Sequence, residues 1–472
     1  MERPRWERLL RWLSEEHGMD VGERAFHVKA RDVPGAGRGL FASRDCPPST
    51  TLFKVPSTAL MNKTTIAKLY PQLRERRLSG VQLVSMHIFL HKPPKEEESR
   101  DPVFGSYIST LPRDFSSHPL TWLVKRDIKE GDAWERAALS VLPPSTVQKL
   151  SVLQERFLAD WQAVGYVLED STIIATSSRT DISPAISPSN GLTMDYLWAW
   201  LNVNTRCIFY RIQPTLSHPD NFTLCPVLDF ANHSSGHTHI FPVVDSDVWG
   251  GVAKKPPKYF IFFSPSQETI QQGQQLYLQY GMHPNTFLFS EYGFVNDVPQ
   301  GAIKSGAYAG EVDVQEPVEE LFAQHVLGPR LKAVLTDESY WGDWTIHAAP
   351  TPAHPSYRLM AALRLLHAFD DVTEIGQAAF DSTVDQWREV IYGQTDKISL
   401  QNEKRWRASL YRICSRVAER ARTRLTRVST AECTDEDGSW RRWMHSNISI
   451  LWKEELEVAE AVVASLKADA EF

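Results

Sequence analysis

The sequence predicts an α+β chain, with a β-rich core of short strands that is split by a helical insert and followed by an all-α region. Three observations predict it. Short strand-like runs broken by glycine and proline fill residues 24–60 and return over 200–298. Between them, over 61–199, apolar residues recur at three- and four-residue steps. From residue 299 onward the helical period dominates.

Taken in order, residues 26–29 alternate, 35–39 form a glycine-rich turn, and 51–55 read as a strand stopped by Pro56. Residues 81–90 are apolar enough for a buried helix. Val147, Leu150, Leu153, Phe157, Trp161 and Val164 share one helical face. Strand character resumes at 223–224, 258–263 and 275–279. Three further stripes predict C-terminal helices: Leu359, Leu363 and Leu366; Trp406, Leu410, Ile413, Val417 and Ala421; Leu456, Ala459, Val463 and Leu466. Residues 350–355 and 434–438 read as loops. The expected division is 24–60 and 200–298 as the two parts of the core, 61–199 as the insert and 299–472 as a helical domain.

The 472 residues are enough for two or three domains, and 42% apolar with 23% charged residues suits a soluble globular chain. A net charge of −7 gives no whole-chain argument for nucleic acid or membranes. No window approaches the ~20 apolar residues needed to span a bilayer. The first residues form a charged run rather than an apolar signal core, so an intracellular protein is expected, cytoplasmic or nuclear. The five cysteines are odd in number and scattered, which suits reduced thiols and offers no zinc framework.

Several short clusters carry chemistry. Gly35, Ala36, Gly37, Arg38 and Gly39 form a turn whose backbone a ligand approaches closely. Taken alone it is a hairpin, and it lacks the flanking strand and helix of a dinucleotide fingerprint. Asp229, Asn232 and His233 follow an apolar run from Cys225 to Leu228; helix capping would explain Asp229 but not the adjacent Asn-His pair. Tyr280 ends an apolar strand before Gly281, and Tyr292 precedes Gly293 and Phe294. A buried tyrosine needs a hydroxyl partner. Arg206 follows an apolar helical run, where a lone arginine is ordinarily a surface charge. His233, His237 and His239 have zinc-like spacing, but no cysteine completes the set, so they read as loop histidines and no metal site is expected. Residues 404–427 carry nine Lys or Arg and one acid. That pattern fits a solvated basic face, or a dock for an acidic protein or RNA.

Together and in this order, the glycine turn, the 226–233 segment and the strand ending at Tyr280 resemble the SET-domain protein methyltransferases. The wide gap between the first two resembles the branch typified by the Rubisco large-subunit lysine methyltransferases. The resemblance is carried by residues 24–60 and 200–298 and implies a core whose C-terminal segment is threaded through a loop. It implies S-adenosyl-L-methionine as cofactor, with S-adenosyl-L-homocysteine as product. Ala36, Gly37 and Arg38 would line the cofactor site; the family's usual acid stands as Ala36 here, leaving backbone contacts. Arg206 would hold the cofactor carboxylate, and Asn232 and His233 would bind the cofactor. Asp229 and Tyr292 would meet the substrate lysine, and Tyr280 would be catalytic.

Such transfer is an in-line displacement that needs alignment and a neutral amine. A lysine with a reference pKa of ~10.4 loses its proton more readily in an apolar channel beside a sulfonium, so no strong base is required. The implied activity is protein N-methylation on a lysine of a non-histone protein, a ribosomal protein or translation factor by analogy. The enzyme would be monomeric, with no membrane partner and no need for nucleic acid. Histidine methylation on the same scaffold and a non-catalytic adaptor are the alternatives; intact Asn232, His233 and Tyr280 argue against the adaptor.

Overall fold

The computed structural model describes residues 3–33, 37–73, 78–94, 97–182, 190–244, 257–299, 301–303, 305–370, 375–430 and 439–472. The chain forms two compact units. The first holds Met1–Gly131, Leu150–His283 and Glu291–Gly293; the second holds Asp132–Lys149, Pro284–Ser290 and Phe294–Phe472.

The first unit is built on short strands: Val28–Val33 (β1), Gly37–Ala42 (β2), Thr51–Pro56 (β3), Ile208–Phe209 (β4), Phe222–Thr223 (β5), Asn232–His233 (β6), Phe241–Val244 (β7), Tyr259–Phe263 (β8) and Gln275–Leu278 (β9). They form sheets of order β1-β2-β9-β6, β3-β8-β7 and β4-β5. In the first sheet β1 and β2 form a hairpin, with Ala30 opposite Leu40. β9 pairs antiparallel with β2, Leu40 opposite Leu276, and parallel with β6, Asn232 opposite Tyr277. Strands separated by almost two hundred residues therefore meet across β9. Gly39 permits this approach, since a Cβ there would lie 2.7 Å from both the Gln275 amide and a Val33 methyl.

The insert packs helices on this core. Ser79 and Gln82 form a reciprocal capping box, which starts the Gly80–Leu90 helix where the apolar run begins. In the Pro144–Leu168 helix the expected stripe is buried from Leu150 to Val164, while Val147 is 43% exposed. Truncating Phe157, which is fully buried, would remove ~3–5 kcal/mol of packing.

The second unit is mainly helical, with one sheet of Glu311–Asp313 (β10), Thr345–His347 (β11) and His354–Pro355 (β12). The last of these takes up the end of the expected 350–355 loop. Leu359, Leu363 and Leu366 are buried in the Tyr357–His367 helix, as are Trp406 to Ala421 in the Leu400–Thr430 helix. The Ser439–Lys467 helix is rotated from the expected face. It buries Glu454, Glu455, Val458 and Val462, while Leu456, Val463 and Leu466 are half-buried. The rotation turns Glu454 to Asn285, whose amide donates to its Oε2 (2.8 Å), and places Trp452 to donate to the Val141 carbonyl (2.7 Å). Among the described residues no helix is long and apolar enough to cross a membrane. Cys46, Cys207, Cys225 and Cys414 are free thiols; Cys433 and the 434–438 loop lie outside the described residues.

Candidate active site

The β2-β9-β6 arrangement joins two motifs that lie far apart in sequence. The Asn232 amide donates to the Arg38 carbonyl (2.9 Å), tying the glycine turn to the Asn-His segment. Gly37 opens β2 with φ +72°; Ala36 lies outside the described residues. The chain reaches β6 through a 3₁₀ turn, Leu228–Phe230, entered at Val227 with φ +72°. That conformation is unfavourable for a β-branched residue, so the turn holds local strain. It sets Asp229 beside the insert, where the Tyr107 hydroxyl donates to Asp229 Oδ2 (3.3 Å).

Charge gathers around this turn. The Arg38 guanidinium donates to the Thr110 carbonyl and lies 4.6 Å over the Phe230 ring. Burial, with the neighbouring Arg206 charge, lowers its pKa to about 10. Burial also pushes the Asp229 carboxyl up to about 6, against the pull of Arg206 and Arg38. Arg206, the last residue of the Asn190–Arg206 helix, gives one Nη1 hydrogen bond to Thr205 Oγ1 (3.0 Å). Its Nε, and Asp229 Oδ1, are buried with no hydrogen-bond partner among the described residues. Such atoms are costly to leave unsatisfied. Together they suit a ligand that carries both a carboxylate and a cationic group.

Tyr280 is fastened to the same segment at both ends. Its N–H donates to His233 Nδ1 (3.1 Å) and its hydroxyl to the Ala231 carbonyl (2.8 Å). Its ring centroid lies 5.2 Å from His233 and 5.2 Å from Tyr292. Burial raises the Tyr280 hydroxyl to about 12 and the Tyr292 hydroxyl well above its ordinary range, so both remain neutral. Gly281 follows with φ +137°, and a Cβ there would stand 2.3 Å from the His283 ring. A second group fixes Tyr292. Asn204 donates to the Glu291 carbonyl (3.2 Å) and carboxylate (2.9 Å), and His118 Nε2 lies 3.2 Å from that carbonyl.

The chain matches curated relatives along most of its length. It is 25% identical to mouse (Mus musculus) SET domain-containing protein 4 over 461 residues, covering 96% of this chain and 89% of that protein. It is 25% identical to the ribosomal lysine N-methyltransferase set11 of Schizosaccharomyces pombe over 355 residues, 74% of this chain and 73% of that one. No protein-family model matches. Its fold matches the crystal structure of the SET domain of LSMT bound to lysine and AdoHcy, with TM-score 0.63 and 16% identity, over 99% of this chain and 92% of that one. Rubisco LSMT bound to AdoMet matches with TM-score 0.58 and 17% identity, over 98% and 93%.

The chain has the fold of the Rubisco large-subunit methyltransferase SET domain.

Within this SET fold, Arg38, Asn232, His233, Tyr280 and Tyr292 are linked by direct contacts, and Asp229 and Arg206 join them through their charges. Among the described residues His237 and His239 join no cluster of potential metal ligands. Their rings stack at 6.2 Å, and His239 Nδ1 accepts from the Tyr277 N–H (3.2 Å). Tyr107, Thr110, His118, Asn204 and Glu291 were not foreseen. Glu291 and Asn204 had a signal, their adjacency to Tyr292 and Arg206; Tyr107, Thr110 and His118 come from the insert, which carries no local motif there. Three arginines of the basic helix are paired, and the exposed pairs are compatible with the solvated basic face expected there. Arg416 bonds Glu320, Arg420 bonds Glu316 (2.6 Å), and Arg422 bonds Glu460 (2.7 Å). Acids distant in sequence, which a window over 404–427 cannot contain, supply the counter-charge.

Proposed function

We propose that this SET-domain protein transfers a methyl group from S-adenosyl-L-methionine to a lysine side chain of a protein. One observation carries the reading: unsatisfied Arg206 Nε and Asp229 Oδ1 are buried at the segment that fastens Tyr280 at both ends. Bound there, S-adenosyl-L-methionine supplies an electrophilic methyl group on a sulfonium centre. Arg206 holds the carboxylate of an amino-acid ligand through a charge-assisted hydrogen bond. Asn232 and His233, with the backbone of Gly37 and Arg38, fix its position. Asp229, ionised above pH ~6, attracts the incoming ammonium group. Tyr280 and Tyr292 line the acceptor channel, exclude water and offer ring faces to the cation. Their neutral hydroxyls orient the amine without taking its proton. That proton leaves because an apolar channel beside a second positive charge disfavours the ammonium form.

The substrate class is a ribosomal protein, with a translation factor as the neighbouring choice. The fission-yeast relative, named a ribosomal lysine methyltransferase, supports it. The enzyme acts as a monomer in the cytoplasm or nucleus. The test is mass spectrometry of proteomes from cells with and without this protein. Loss of a lysine methyl mark on a ribosomal protein is expected. Loss of a histidine mark, or of none, overturns the reading.

A further inference from the structure

We propose that His87, His91 and Asp101 form a structural site for one divalent transition-metal ion of the zinc class. His87 and His91 stand four residues apart at the C-terminal end of the Gly80–Leu90 helix, so both imidazoles face the same side. Asp101 approaches from the chain that follows. All three are buried, and their ligand atoms lie within 4.8 Å of one another.

The distances favour a metal over hydrogen bonds. His87 Nε2 is 3.4 Å from Asp101 Oδ2, and His91 Nε2 is 3.6 Å from Oδ1. An N–H···O bond spans ~2.7–3.2 Å, and His87 Nε2 is buried without a hydrogen-bond partner among the described residues. Ligands held ~2.0–2.2 Å from a tetrahedral ion, by contrast, stand roughly 3.3–3.5 Å apart. Asp101 binding through both oxygens, or one water, completes four-coordination.

The surrounding groups suit ligand duty. Each imidazole engages a hydroxyl through Nδ1, His87 with Tyr70 (2.8 Å) and His91 with Ser178 (3.1 Å), so Nε2 is the nitrogen turned to the cluster. Metal-bound histidines are held in this way. Two imidazoles and a carboxylate fit zinc or cobalt(II) better than calcium or magnesium, which prefer oxygen.

The site would brace the active site indirectly. Asp101 Oδ2 accepts from the Phe104 N–H (2.5 Å) and its carbonyl from the Gly105 N–H (3.2 Å), which starts the Gly105–Ile108 helix. That helix carries Tyr107 to Asp229, and Thr110 beyond it receives Arg38. In the sequence, the His-x-x-x-His spacing at 87 and 91 is the signal for this cluster, in contrast to the expected absence of a metal site.

The test uses full-length protein without a histidine tag, stripped with a chelator, reloaded with zinc(II) or cobalt(II) and freed of excess metal. One ion per chain is expected, with cobalt(II) visible bands and a lower Tm after chelation. X-ray absorption at the zinc edge should give two imidazoles and oxygen, with no sulfur. His91→Asn and Asp101→Asn should each lose stoichiometric binding. Failure of wild-type protein to retain either ion, a sulfur ligand, or wild-type affinity in a folded variant overturns the proposal. If neither variant folds, the absorption spectrum of the wild type decides.

Discussion

Arg206 and the arginines of the Leu400–Thr430 helix show how differently the same side chain is used in the two units. Arg206 was inconspicuous in the sequence. In the fold its Nε is buried with hydrogen-bonding capacity to spare, beside a carboxylate oxygen in the same condition. The C-terminal helix was conspicuous for its positive charge, yet Arg416, Arg420 and Arg422 are paired with acids of their own unit. Unspent hydrogen bonds alone do not separate the two, since Arg420 Nε and both Glu455 carboxylate oxygens are also buried without hydrogen-bond partners among the described residues; what sets Arg206 and Asp229 apart is their place beside the segment that fastens Tyr280 at both ends. An exposed ion pair such as Arg416–Glu320 contributes ~0–1 kcal/mol, while a buried unsatisfied group costs ~1–3 kcal/mol.

The largest effect that can break this comparison lies at the tyrosine. Tyr280→Phe removes the hydroxyl that donates to Ala231 and little volume. It should slow single-turnover methyl transfer by ~10²–10³-fold, the scale of losing one well-placed polar group in an active site, while cofactor affinity changes little. A wild-type rate would make Tyr280 a packing residue.

Asn232→Ala comes next. It removes the bond between the two motif strands (2.9 Å). A net hydrogen bond of ~1 kcal/mol, plus a displaced backbone, predicts cofactor affinity weakened by ~5–20-fold, with circular dichroism unchanged. Unaltered affinity in calorimetry would detach the Asn-His segment from the site.

A smaller and more diagnostic effect concerns Asp229, whose carboxyl is raised to about 6. As pH falls through that value the group becomes neutral, so KM for the protein substrate should rise several-fold between pH 7 and 5. Stability has the opposite sign. Between the unfolded value of ~3.9 and about 6 the native state holds a proton that the unfolded state has lost. This group's contribution to stability is thus greatest at low pH and declines as pH rises through that window. Asp229→Asn should flatten both profiles, and a mutant with the wild-type KM profile would remove Asp229 from substrate binding.

The smallest effect belongs to the second unit. Arg416→Glu places like charges on an exposed pair with Glu320 and should change stability by no more than ~1 kcal/mol. Substrate KM and its salt dependence should stay at wild-type values. A raised KM with weaker salt dependence would mean that the basic helix meets the substrate despite its internal pairs.

How much of this was legible follows from which contacts are local. The capping box at Ser79 and the stripes at 150–164, 359–366 and 406–421 depend on neighbours a few residues away, so periodicity located them. The Ser439–Lys467 stripe is shifted rather than lost: Ala459 is buried as expected and Leu456, Val463 and Leu466 pack at the edge of the core, while two acids, Glu454 and Glu455, take fully buried positions. At the site, the 226–233 and 280–292 motifs were visible because their residues are contiguous. Tyr107 and His118 were not, because each reaches its partner across more than a hundred residues from a helix with no distinguishing pattern.

The most direct test of the central claim is a calorimetric titration of S-adenosyl-L-methionine into the wild-type protein, Arg206→Ala and Tyr280→Phe. The wild type should bind one equivalent. Arg206→Ala, losing a charge-assisted hydrogen bond worth ~1.5–3 kcal/mol, should bind ~10–150-fold more weakly, and Tyr280→Phe should bind as the wild type does. Absence of binding to the wild type, or equal affinity in Arg206→Ala with its fold intact, would contradict the assignment of this half-buried arginine and its neighbours as the methyl-donor site.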